Sequence, residues 1–259
     1  MIKTLVSGAS GKMGQAVLKQ LAMEDGFDLV AALVSPRDAK IGQDCGEAIG
    51  IHFGVPFSAE LHLVDKADLI IDFSRPDFTM ALLPLTIEHG KKMVIGTTGF
   101  DKGQKEAIQL AAEEIAICCS PNMSIGVNLL YALARIAAKV SDDDVEIIEV
   151  HHKQKVDAPS GTALRLAEEI SKAKTEPLAF VYGRHGMQKR APQEIGIHAV
   201  RAGEIVGDHT VLFAGEGERL ELTHRALDRG AFAKGALLAA RFLIQKERGL
   251  YDMQDVLGL

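Results

Sequence analysis

Through the first half of the chain, short runs of β-branched and other apolar residues alternate with longer stretches whose apolar positions recur every three or four residues. This alternation predicts strand–helix–strand units and a parallel sheet, because parallel neighbours need a long crossover, usually a helix. Strands are expected over 2–6, 28–33, 68–73, 92–96 and 115–119, and helices over 13–23, 76–89 and 101–114. The run DLIIDF at 68–73 is almost continuously apolar, as in a strand covered on both faces. Pro76 falls in a first helical turn, where its missing N–H does no harm. The order is that of a doubly wound α/β domain, whose ligands sit at the carboxyl ends of the strands.

After Pro121 the pattern changes. A helix over 124–140 leads to a strand over 145–152, a polar loop and a helix over 162–172. Segments at 195–201, 209–214 and 219–226 are separated by turn-rich sequence, as in an antiparallel or mixed sheet, and 230–246 is helical again. The expected fold is therefore a Rossmann-type doubly wound parallel sheet with an inserted α+β domain. The predicted domains are 1–122 with 230–259, and 123–229. The uncharged run at 115–134 reaches spanning length, ~20 residues. It contains Pro121, Asn122, Ser124, Gly126 and Asn128, however, and reads as strand, polar loop and helix instead.

Composition narrows the function classes. The chain has 259 residues, 47% of them hydrophobic, enough for each domain to bury a core. A net charge of -6 gives no bulk attraction for nucleic acid. The start MIKTLVSGASG runs straight into glycines without a signal-like apolar segment, so a cytoplasmic, membrane-free protein is expected. Cys45, Cys118 and Cys119 form no CxxC pair and read as buried thiols.

Gly8, Gly11 and Gly14 lie between the first strand and the first helix, in VSGASGKMGQAV. Glycines at such a turn let backbone N–H groups approach a pyrophosphate. The spacing is GxxGxxG, a weak signal alone that its place at the first strand-to-helix junction strengthens. Two further loops follow strands, Gly96-Thr97-Thr98-Gly99 and Ser120-Pro121-Asn122-Met123, each readable as a ligand loop or a plain polar turn. The acid expected at the end of the second strand is missing, since Val34 and Ser35 stand there. Ser35 and Arg37, with Lys12, could receive a 2′-phosphate; equally, Arg37 could be a solvated charge. NADPH is expected to serve at least as well as NADH, and an acid placed at Val34 to favour NADH.

The segment EVHHKQKVDAPSGT sets His151, His152, Lys153, Lys155 and Asp157 just beyond an apolar strand. Neighbouring strand side chains point to opposite faces, so the two histidines should differ in role. Diverging histidines without a completing cysteine or carboxylate set argue against a metal site. Pro159-Ser160-Gly161-Thr162 opens a helix, where N–H groups suit a carboxylate. A lysine beside such an anion fixes charge or donates a proton, and an imidazole of ordinary pKa, ~6.5, exchanges protons near neutrality. Lys153 reads as solvated.

GASGKMG, DFSRPD, VIGTTGF, SPNMSIGVN, EIIEVHHKQKVDAPSGTAL, VRAGEIVGDHTV and GLYDMQDVL occur in that order along the whole chain. Together they resemble the dihydrodipicolinate reductase family, also called 4-hydroxy-tetrahydrodipicolinate reductases; the HHKQKVDAPSGTA segment is the most specific of them. The resemblance implies NADPH or NADH as cofactor, a small dicarboxylate as substrate, and a homotetramer formed through the inserted domain. It implies cofactor contacts from Gly8, Ala9, Ser10, Gly11, Lys12 and Met13, from Gly96, Thr97 and Thr98, and from Ser120, Pro121, Asn122 and Met123. His151 becomes a proton donor or acceptor and Lys155 a proton donor, while His152, Gly161 and Thr162, with neighbouring Ser160, hold substrate carboxylates. At Val34 and Ser35 the chain departs from the family's commoner acid-then-base pair.

Two rivals follow from the same residues. A semialdehyde dehydrogenase would use an activated thiolate at Cys118 or Cys119. A non-catalytic dinucleotide sensor would keep the glycine turn without needing the histidine–lysine set.

Overall fold

A computed structural model describes residues 1–259, which divide into two compact units, 1–125 with 229–258 and 126–228. The first is Rossmann-type. Its strands β1 (Ile2–Ser7), β2 (Phe27–Leu33), β3 (Phe57–Ser58), β4 (Leu69–Asp72), β5 (Lys92–Ile95), β6 (Ala116–Cys119) and β12 (Gly249–Tyr251) form one sheet in the order β12-β6-β5-β4-β1-β2-β3. Every pairing is parallel. The order reverses between β1 and β4, which opens a crevice at their carboxyl ends.

Alternation along the strands divides the core. Val6 and Ile71 face α1 (Lys12–Leu21) and α6 (Gly230–Leu243), whereas Leu5 and Ile70 face α2 (Pro76–Glu88) and α3 (Lys102–Ala111). The C-terminal helix thus packs in the first unit, as its apolar stripe suggests. Gly235 makes that possible. A Cβ there would lie 1.7 Å from the Met123 carbonyl oxygen, so α6 reaches the β6 loop only without a side chain.

The second unit holds a five-stranded mixed sheet, built from β7 (Asp144–His151), β8 (Ala179–Tyr182), β9 (Glu194–Arg201), β10 (Gly207–Ala214) and β11 (Arg219–Ala226) in the order β11-β10-β7-β9-β8. β10 runs antiparallel to β7 and β11, while β9 runs parallel to β7 and β8. Helices α4 (Ile125–Val140) and α5 (Gly161–Ala173) cover the face that carries Val145, Ile147, Ile197, Val211 and Phe213. No helix is long and apolar enough to cross a membrane.

Several elements lack the periodicity that would reveal them. β3, β8 and β12 have two to four residues and exist because a neighbouring strand pairs with them. The last helix, α7 (Met253–Leu257), depends on a reciprocal cap between Asp252 and Asp255.

Gly235→Ala is expected to destabilise the first unit by about 3 kcal/mol, the upper range for overpacking. Gly103→Ala, in exposed α3 with nothing nearer than 3.5 Å to the added carbon, is expected to be neutral or stabilising by up to ~1 kcal/mol. Thermal unfolding of both variants checks the contrast.

Candidate active site

In the first unit, the glycine turn is close-packed backbone. Gly8 has φ +72°, and a Cβ on it would stand 2.3 Å from the Phe73 carbonyl oxygen; one on Gly14 would stand 2.2 Å from the Gly8 oxygen. The first requirement is conformational and the second steric. Gly11 begins α1 with no side chain capping the helix and no acid in its first turn, which suits an incoming phosphate. Ala9 is fully buried and its N–H donates to the Leu33 carbonyl, so it holds the turn against β2. Lys12 is exposed, and Met13 half-buried.

A carboxylate missing from the end of β2 arrives from further along. Ser10 Oγ donates to Asp38 Oδ2 at 2.5 Å, and the Lys40 N–H donates to Oδ1. The Ser10 hydrogen bond leads in holding the Asp38 carboxyl below its usual range. Val34 is itself only 1% exposed. Its side chain belongs to the core cluster of Val6 and Ala9, and it also borders a cavity at the end of β2. Ser35 and Arg37 line a cavity of about 480 Å³ together with Gly8, Ser74 and Arg75, while Lys12 does not. Arg75 went unassigned, although it lies in the DFSRPD motif.

Phe73 gathers the loops. Its carbonyl meets Gly8, and its ring lies 2.1 Å from where a Gly96 Cβ would be. Thr97 is buried, donating to Asp72 Oδ2 and accepting the Ser74 N–H, both at 2.9 Å. Its side chain ties the β4 and β5 loops together and is not open to a ligand; Thr98 is exposed. In the third loop Ser120 Oγ donates to the Asn122 carbonyl, and Asn122 Oδ1 accepts the Ser124 N–H. Met123 points into the core, whereas Pro121 is exposed.

In the second unit, β7 alternates so that Val145, Ile147, Glu149 and His151 share the buried face. Glu149 is completely buried and fully engaged. Its Oε2 lies 2.5 Å from His151 Nδ1 and accepts from Arg201 Nη1, while Oε1 accepts from Arg201 Nη2 and from the Ser160 N–H. Burial raises its pKa, but the hydrogen bonds from His151, Arg201 and Ser160 prevail and hold it down to about 2. His209 meets the His151 ring edge-on at 5.1 Å, and burial foremost pushes its pKa down to about 3.

The remaining expected residues separate by environment. His152 is half-buried, with its Nδ1 buried and unpartnered. Lys153 is exposed. Lys155 Nζ makes a two-pronged ion pair with Asp157, at 2.8 and 2.9 Å. Ser160 is buried; its hydroxyl caps α5 through the Ala163 N–H and meets His209 Nε2. Gly161 is exposed, with open space beside it, and Thr162 is half-buried. Glu149, Arg201, His209 and Gly207 went unassigned. Glu149 stands in the EVHH motif, and an acid on the apolar face of a strand was the available signal.

The profile for the dihydrodipicolinate reductase N-terminus matches residues 2–123, and that for the C-terminus matches 126–257. The chain belongs to the dihydrodipicolinate reductase family. It is 49% identical to the 4-hydroxy-tetrahydrodipicolinate reductase of Nitrosomonas europaea, over 98% of this chain and 97% of that one. With the enzyme of the same name from Thiobacillus denitrificans it shares 48% identity, over 100% and 99%. A solved dipicolinate-bound dihydrodipicolinate reductase from Paenisporosarcina sp. TG-14 superposes with a TM-score of 0.77 at 28% identity, covering 98% of both chains. An aspartate semialdehyde dehydrogenase from Vibrio cholerae shares the fold alone, with a TM-score of 0.61 at 14% identity over 95% of this chain and 99% of that one. The N-terminal unit is thus a nucleotide-binding domain, in an enzyme that uses a pyridine nucleotide.

Burial disfavours a thiolate at both Cys118 and Cys119. Burial, followed by the Asp72 carboxylate, pushes Cys119 up to about 11, and burial raises Cys118 further. Reaction of the native protein with iodoacetamide at neutral pH is expected to leave turnover unchanged over an hour; rapid inactivation would return a thiolate mechanism to consideration.

Proposed function

We propose that this chain reduces 4-hydroxy-tetrahydrodipicolinate to tetrahydrodipicolinate with loss of water, in lysine and diaminopimelate biosynthesis. The observation that carries the reading is the family match over both halves, with full-length relatives of that name near half identity. The overall step takes up one hydride and one proton and releases one water. A bound NADPH or NADH supplies the hydride. Its fit is supported by the glycine turn, which leads into an α1 start with no capping side chain and no acid in its first turn, and by the cavity lined with Ser35, Arg37 and Arg75. In this reading residues 8–13 hold the pyrophosphate through backbone groups, and the 96–98 and 120–123 loops contribute mainly backbone.

The protein's own chemistry concerns a dianion and a proton. His152 and the start of α5 at Gly161 and Thr162 hold the substrate carboxylates, an arrangement the helix dipole favours. His151 and Lys155 deliver the proton. The ion pair that Lys155 makes with Asp157 is no obstacle, because Asp157 is 60% exposed and such pairs contribute only about 0–1 kcal/mol. A substrate carboxylate can take the place of Asp157 cheaply. The second unit is also assigned the contacts of a cytoplasmic homotetramer. The sheet face opposite α4 and α5, with Val200 exposed beside Val150, suits a partner subunit.

NADPH is expected to serve at least as well as NADH, since Ser35, Arg37 and Arg75 share a cavity with Gly8. Asp77 lines the same cavity and pairs with Arg75 at 3.4 Å, while Asp38 adds negative charge at the glycine turn through Ser10, so Asp38→Asn should raise the NADPH-to-NADH ratio of kcat/KM. A tenfold preference for NADH in the unmodified protein, roughly 1.4 kcal/mol, would defeat the expectation.

Lys155→Ala should lower kcat by about two to four orders of magnitude, the usual reach of general acid catalysis, with cofactor affinity retained. Lys153→Ala should change kcat little. Steady-state kinetics on the condensation product of pyruvate and aspartate semialdehyde, with cofactor titration by nicotinamide fluorescence, tests both. Near-normal turnover of Lys155→Ala would remove Lys155 from the reaction.

A further inference from the structure

We infer that Glu149 is a positioning residue for the reduction, holding a proton on Nδ1 of His151 so that Nε2 is the ring nitrogen that exchanges protons with substrate. The inference rests on the assignment of proton transfer to His151 made above.

The geometry leaves Glu149 little choice of state. Arg201 meets both carboxylate oxygens at 2.7 Å, the Ser160 N–H meets Oε1 at 3.0 Å, and His151 Nδ1 meets Oε2 at 2.5 Å. With a guanidinium and a backbone N–H already donating to it, the carboxyl remains ionised. An ionised carboxylate accepts hydrogen bonds and donates none. Nδ1 is therefore the donor, whether the ring is neutral or charged, and Nε2 is the atom whose protonation changes. Arrangements in which one ring nitrogen is fixed by a carboxylate leave the other free for chemistry.

A second observation concerns Nε2. A Cβ on Gly207, the first residue of β10, would lie 2.9 Å from that atom. Because Glu149 holds the ring, it could not swing away, so the bare backbone of Gly207 keeps Nε2 uncovered. The other titratable and charged groups around the ring do not compete for Nδ1. His209 on β10 presents its edge and turns its Nε2 to Ser160. His224 on β11 acts on His209, Lys155 is held by Asp157, and Arg201 on β9 acts on His151 through Glu149.

This division of roles makes two variants behave oppositely. In Glu149→Gln, Arg201 retains the amide oxygen and the NH2 group turns toward Nδ1. The ring then loses its anion and moves its proton to Nε2. Turnover that needs a proton-donating ring should fall on the order of 10²-fold near pH 8, and the alkaline limb of the kcat profile should move at least one pH unit toward acid. In Arg201→Gln, Glu149 loses its competing cation, and the same limb should move toward alkali. A merely structural role would not send the two limbs in opposite directions.

The experiment pairs kcat–pH profiles of the full-length protein and both variants with ¹⁵N NMR of its histidine rings above their titration range, using His151→Gln to assign the signal. The expected result is a proton on Nδ1 of His151 in the unmodified protein and on Nε2 in Glu149→Gln, with limbs displaced oppositely. A proton on Nε2 in the unmodified protein overturns the inference without needing Glu149→Gln or Arg201→Gln to fold; limbs that stay together or move the same way overturn it as well. Full turnover of His151→Gln would instead overturn the assignment of His151 to proton transfer, an outcome the NMR signal distinguishes.

Discussion

A carboxylate with no exposed surface persists in a protein interior only where its lone pairs are met, and Glu149 is met by three partners. Arg201 comes from β9, the Ser160 N–H from the entrance to α5, and His151 from two residues along its own strand. Satisfying this one anion thus aligns a strand, a neighbouring strand and a helix start. Removing any one partner leaves charge or polarity exposed to a low-dielectric surrounding, which is far more damaging than losing a surface pair. The polar cluster is coupled for that reason: Ser160 caps α5, touches His209 and supports Glu149 with separate atoms.

The first unit follows a different constraint, the close approach of backbones. Phe73 leaves β4 with its carbonyl against Gly8 and its ring against Gly96, so the glycine turn and the loop after β5 are shaped by one residue at the end of β4. Asp72 adds a polar tie by accepting from Thr79 and Thr97. The loops are thereby organised by groups that face inward, while Ser35 and Arg37 stay exposed. The turn's glycines answer to the protein's own backbone, since a Cβ on Gly8 or Gly14 would collide with the Phe73 or the Gly8 carbonyl oxygen.

Electrostatics sorts the titratable groups by their surroundings. The cysteines lie where burial favours the neutral thiol, and Cys119 also faces Asp72. His209, buried between His151 and His224, is held neutral. Lys155, in contrast, sits with a half-solvated partner it can exchange, and His151 sits at the rim of the buried cluster with Nε2 facing a glycine. Asp38 brings negative charge to the glycine turn from outside the strand end.

Much of the architecture was legible in the chain itself. Period-two and helical patterns are local properties, so β1, β2, β4 to β6 and the long helices were readable within a few residues, as was the mixed sheet of the second unit. The glycine turn and the HHKQKVDAPSGT segment were readable because backbone freedom and titratable chemistry belong to particular residue types. Short strands such as β8 and β12 were not, since two to four residues carry no period and are stabilised by their neighbours. Nor could the chain say that Val34 faces the core, that Thr97 and Ser160 turn their hydroxyls inward, or that Asp38 meets Ser10 across an intervening helix and strand. Above all, the bond from Arg201 to Glu149 joins residues 52 apart in sequence. Residue identity determined which chemistry was available; the pairing of distant strands decided which groups meet, because a buried charge takes its partner from three-dimensional proximity.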